Sequence, residues 1–132
     1  MKERSAQDCI NNILRNIEKR RNMRPQDYAD RNAVRRYNAA MDRIIENVDY
    51  LDAHYPEAID LLADLANSQD CKIGVTCAHM LHRVKNGTIK HKQIALAAAK
   101  QLMNHPDIDP VTQFGMGLNI KRWEAELESM QV

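Results

Sequence analysis

Apolar residues recur at helical spacing along nearly the whole chain. Ile10, Ile13, Leu14 and Ile17 follow i, i+3, i+4, i+7 and form one stripe. The pattern predicts a first helix from Ser5 to Asn22, with Ser5 as its cap, Asp8 in its first turn and Lys19, Arg20 and Arg21 in its last. After Pro25 the longest helix is expected, from Asp27 or Asp30 to Ala53. Val34, Tyr37, Met41, Ile44, Val48 and Leu51 step alternately by three and four, with Ala40 and Ile45 widening the stripe. Such a seam fits a coiled-coil dimer or a helix packed inside its own chain.

His54-Tyr55-Pro56 ends that helix, because the residue before a proline avoids helical geometry. Pro56 is expected to open a third helix at its first position, with Ile59, Leu62, Leu65 and Ala66 inward and an end near Asn67. Asp70 is the expected cap of a fourth helix running to about Lys85, with Ile73, Cys77, Met80, Leu81 and Val84 in one arc and Gly74 at its edge. Asn86-Gly87 reads as a C-cap with glycine left-handed. Thr88 caps a fifth helix with Ile94, Ala95, Ala98 and Leu102 inward, broken at His105-Pro106. Asp109-Pro110 starts the sixth, whose expected apolar positions are Phe114, Leu118, Trp123 and Leu127, with fraying from Glu128 to Val132. Gly115 and Gly117 stand inside this helix, either for close helix approach or as an irregular turn.

A weak internal echo runs through the second half. Asp70-x-x-Ile73 through Cys77-Ala78-His79-Met80-Leu81 returns as Asp107 through Phe114-Gly115-Met116-Gly117-Leu118, at an offset of 37 residues. Leu65 and Leu102, and Asn67 and Asn104, match at the same offset. Periods of this size point to stacked helical hairpins that cannot bury their apolar faces singly. Residues 70–81 resemble the second helix of a HEAT-type repeat, and the helix from Pro56 to Asn67 resembles the matching first helix. Residues 34–123 resemble a small family of bacterial single-domain HEAT-like proteins of unknown function. The resemblance implies an all-α fold of about six helices, built as right-handed, antiparallel HEAT-like hairpins. Residues 1–24 are then a capping helix and 27–132 the core of a single domain, an irregular helical bundle being the alternative. HEAT-type repeats often carry Arg directly after the aliphatic position, where this chain has Gly74 and Val111, so an arginine ladder between repeats is not expected.

Composition narrows the class. The chain has 132 residues, 44% hydrophobic and 28% charged, with only four Gly and four Pro, which suits a soluble helical protein. The start, Met1-Lys2-Glu3-Arg4, lacks an apolar segment behind it, and no run is long enough to cross a bilayer. With three cysteines, an odd number, a reduced cytoplasmic location is expected. Net charge is +1 but segregated: +5 over residues 1–36, −7 over 37–70, +6 over 71–105 and −3 over 106–132.

Candidate chemistry is sparse. Cys71, Cys77, His79 and His82 are zinc-type ligands at poor spacing, so no metal is expected. Asp42, Glu46 and Asp49, and Glu57, Asp60 and Asp64, line helix faces without a Glu-x-x-His partner and read as solvated acidic faces. Ser5, Ser68 and Ser129 have no nucleophile context, and nothing resembles a phosphate loop. Neither catalysis nor a cofactor is expected.

Basic residues around Arg15, Lys19–Arg21, Arg24, Arg31, Arg35 and Arg36, and from Lys72 to Lys100, raise nucleic-acid binding as an alternative. The near-zero net charge and few aromatics speak against it. The expected function is protein–protein interaction, in a protein of inhibitor or immunity type, as monomer or homodimer. Its partner is unknown, and an acidic one suits the expected surface on the fourth helix: Lys72, Thr76, His79 and Arg83, with His82 at the margin. The two histidines would make that binding pH-sensitive. A homodimeric scaffold through the 34–51 seam is a second alternative.

Overall fold

A computed structural model describes residues 3–21 and 25–131. Asn22 and Arg24, the first two residues and Val132 lie outside the described residues. The described chain is all-α: α1 (Ala6–Arg21), α2 (Arg31–His54), α3 (Ile59–Ala66), α4 (Cys71–Arg83), α5 (Ile89–Leu102) and α6 (Pro110–Gln131). Short 3-10 turns precede α2 and α3, at Pro25–Ala29 and Pro56–Ala58. Pro56 therefore opens a tight turn, and α3 begins three residues later than expected.

The chain divides into two compact units, Met1–Ala58 and Ile59–Val132. Within the first unit α2 packs along α1. Ile10, Ile13 and Ile17 of α1 are buried, as are Ala40, Ile44, Val48 and Leu51 of α2. At Val34, Tyr37 and Met41 the 34–51 stripe is half-buried, and at Ala40, Ile44, Val48 and Leu51 it belongs to the core of this unit. Two asparagines missed by an apolar pattern lie in it. Asn47 donates to the Arg43 carbonyl and accepts from Asn12, while Asn16 donates to the Asn12 carbonyl. Arg20 lies over the Tyr37 ring at 4.2 Å and donates to its hydroxyl at 2.7 Å. Asp30 caps α2, accepting from the amides of Asn32 and Ala33.

In the second unit α3 packs on α4, α4 on α5 and α5 on α6, while α3 also touches α5. The linkers 67–70 and 103–109 are short, so consecutive packed helices run antiparallel. Asp70 caps α4, accepting from Lys72 and Ile73. Thr88 caps α5 in a reciprocal box with His91. The Thr88 amide donates to Nδ1 of His91, so its Nε2–H donates to Asp60 at 2.6 Å and ties α5 to α3.

Two glycines have steric reasons. A Cβ on Gly74 would sit 3.0 Å from the Leu102 side chain and 3.4 Å from the Ala66 carbonyl oxygen, so three helices meet there. No glycine has positive φ, which corrects the left-handed cap expected at Gly87. A Cβ there would meet Val84 at 2.8 Å, because α4 ends early and Val84 turns extended and buried.

Candidate protein-interaction surface

The surface expected on α4 is only partly open. Lys72 and Arg83 are exposed, and Lys72 lies 3.7 Å from Asp109. Thr76, His79 and His82 are half-buried, because α6 reaches over this side of α4. His79 Nδ1–H donates to the Val75 carbonyl, leaving Nε2 to accept from Asn119 at 2.6 Å. Its ring meets Trp123 edge-on at 5.5 Å. His82 stacks on the other side of the contact, 4.3 Å from Trp123, with Nε2 2.9 Å from Glu126. Burial and the nearby Lys92 hold His82 below the ordinary imidazole value, and Glu126 opposes them. The two histidines thus anchor α6 on α4.

α6 carries apolar residues on both sides. Met116, Trp123 and Leu127 are buried, with Ile120 half-buried between them. Phe114 and Leu118, expected inside, are 72% and 56% exposed, and Val111 is 83% exposed. The internal echo is out of phase with this burial. Asp109 caps α6 as expected, two residues beyond the echo's Asp107, and accepts from the Thr112 amide and hydroxyl, which hold its carboxyl below the usual range. Measured from the caps Asp70 and Asp109, equivalent positions are 39 residues apart rather than 37. At 39, buried Cys77 matches buried Met116, Leu81 matches Ile120 and Val84 matches Trp123. Two residues of slip rotate a helix position by about 200°. The residues that echo α4's core therefore stand on the outside of α6.

Val111, Phe114 and Leu118 form an i, i+3, i+7 row that Lys121 continues. Beside it runs an open groove of about 480 Å³ lined by Met103, Pro110, Gln113, Phe114, Leu118 and Lys121. Gly115 and Gly117 leave both flanks of the row low. A Cβ on Gly115 would meet nothing within 4 Å, so its own fold gives no reason for that glycine. The helix nonetheless continues through both glycines to Gln131. An apolar row of this kind on one helix is what a helix-binding surface presents.

Much of the basic stretch from Lys72 to Lys100 has partners. Lys92 donates to the His82 carbonyl, Lys100 lies 3.7 Å from Glu124, and Arg83 and Lys85 also have partners. Cys9, Cys71 and Cys77 are free and buried, and burial pushes the Cys77 thiol up to about 12. Among the described residues no cluster of His, Cys, Asp or Glu has a geometry that could hold a metal ion, and no helix is long and apolar enough to cross a membrane.

No family model, no curated protein and no solved structure matches this chain.

Proposed function

We propose that the protein is a non-enzymatic protein–protein interaction module that receives a helix of its partner along the outer row of α6. The exposed Val111–Phe114–Leu118 row carries this reading. Three large apolar side chains at helical spacing, with a groove on one flank, match the way an amphipathic helix is read through i, i+3 and i+7 anchors. Lys121 extends the row with one positive charge, so the partner helix is apolar on one face and acidic at the end that meets Lys121. A small inhibitor or immunity-type protein that caps another protein is the concrete form of such a module. The α4 residues chosen from the sequence serve a different end in this reading: His79 and His82 hold α6 in place, and Lys72 and Arg83 frame the unit's polar surface.

Photo-crosslinking tests this. A photoreactive phenylalanine analogue at Phe114 should trap one discrete polypeptide in the native lysate, and the same group at exposed Arg35 should not. Leu118→Glu in the same chain should abolish the product. No position-specific product from Phe114 would overturn the reading.

A further inference from the structure

α6 lies along α5 and reaches α4 through long side chains: Asn119, Trp123 and Glu126 on its own side, His79 and His82 on the other. The hydrogen bonds there form a chain with one direction. Arg122 donates to Asn119 Oδ1 at 3.0 Å, Asn119 Nδ2 donates to His79 Nε2 at 2.6 Å, and His79 Nδ1–H donates to the Val75 carbonyl at 3.1 Å. A carbonyl only accepts, so Nδ1 carries a proton and the Nε2 lone pair takes the Asn119 amide. A second proton, on Nε2, would set N–H against N–H. Turning the Asn119 amide over would give His79 an acceptor, but would aim the NH2 group at Arg122. Arg122 thus fixes the amide, and the amide requires a neutral His79.

Charge works in the same direction. His82 stands one turn beyond His79 and stacks on Trp123 at 4.3 Å. Lys92 of α5 donates to the His82 carbonyl, and Arg122 of α6 adds a second positive charge nearby. Glu126 is the one carboxylate at this cluster among the described residues. It lies 2.9 Å from His82 Nε2, without hydrogen-bond alignment, and 4.0 Å from Arg122. Glu124 lies against Lys100, Glu128 is exposed, and Arg83 has a partner of its own. Two imidazoliums would therefore join Lys92 and Arg122 around a single acid. The buried Trp123 Nε1–H has no acceptor, so the contact holds no further polar bond in reserve.

We propose that the α4–α6 contact is a latch, closed while His79 and His82 are neutral and opened by mild acid. Protonation is opposed in the closed form alone, because the released imidazoles meet water on both nitrogens, so proton binding favours the open form. Opening bares Trp123, which the closed form buries. The proposal does not depend on what binds the outer row.

Trp123 is the chain's only tryptophan, so its emission reports the latch directly. Between pH 7.5 and 5.5, either side of the ordinary imidazole value, the wild-type emission maximum should move to the red and acrylamide should quench it more, with far-UV helicity kept. Arg122 is exposed, so Arg122→Ala should fold as the wild type does. It frees the amide to turn, and its pH response should shrink. His82→Phe should keep the part of the response that belongs to His79. Adding Asn119→Asp should reverse that part, because a carboxylate accepts from protonated His79 and from Arg122 at once. A merely structural Asn119 would instead loosen the contact equally at both pH values. Emission and quenching that ignore pH would overturn the latch. So would an undiminished response in Arg122→Ala, or a double variant that responds in the same direction as His82→Phe alone. A red shift in step with loss of helicity would make the change global unfolding and overturn it as well.

Discussion

Trp123 is the side chain on which the C-terminal unit turns. It is buried, and His82 stacks on it while His79 meets its edge, so one indole joins α4 to α6. Removing it leaves a large cavity, and Trp123→Ala should cost ~3–5 kcal/mol in chemical denaturation. His82 makes the same contact pH-dependent. Its folded-state value lies below the unfolded one, because burial and Lys92 outweigh Glu126, with Arg122 adding to the lowering. The unfolded chain therefore binds the proton more readily. Stability is full above the unfolded imidazole value of about 6.5 and is lost as pH falls through it toward the lower folded value. His82→Phe keeps a ring on Trp123 without the titration. Urea midpoints at pH 7.5 and 5.5 should differ less in this variant than in wild type; an unchanged difference would place the titrating group elsewhere.

At the level of the elements, local signals were read well where a cap and an apolar stripe agreed. Asp30, Asp70 and Thr88 cap the helices assigned to them. The stripe over Ile44, Val48 and Leu51 is buried as its spacing requires. α6 defeated the same method because apolar residues occupy both of its faces, so periodicity has no single direction to report. The 37-residue echo then favoured the wrong face, and only the Asp109 cap carries the right phase. Part of the expected α4 surface lies under α6 for a related reason. A helical wheel shows which residues oppose a core stripe, but not that a second helix will cover them. Gly115 offers a check on the exposed flank of α6. Since a Cβ there meets nothing, Gly115→Ala should stabilise the monomer by about 1 kcal/mol through helix propensity alone. Thermal unfolding at low concentration measures it, and a loss of stability would mean the flank is not open.

Across the molecule, six helices and an all-α fold were legible from the chain. A heptad-like stripe states that something covers α2 without naming what. The central claim is that α6 spends one apolar row on its own fold and presents the other. Met116 and Leu118 stand two residues apart on opposite sides of that helix, the first buried and the second exposed. The most direct measurement is urea unfolding of Met116→Glu beside Leu118→Glu, at a concentration low enough to keep the chain monomeric. The account predicts that Leu118→Glu stays within ~0.5 kcal/mol of wild type, whereas Met116→Glu, which buries a charge, loses more than ~3 kcal/mol or fails to fold. Equal losses in the two variants would show that Leu118 belongs to the core and would contradict the two-sided α6.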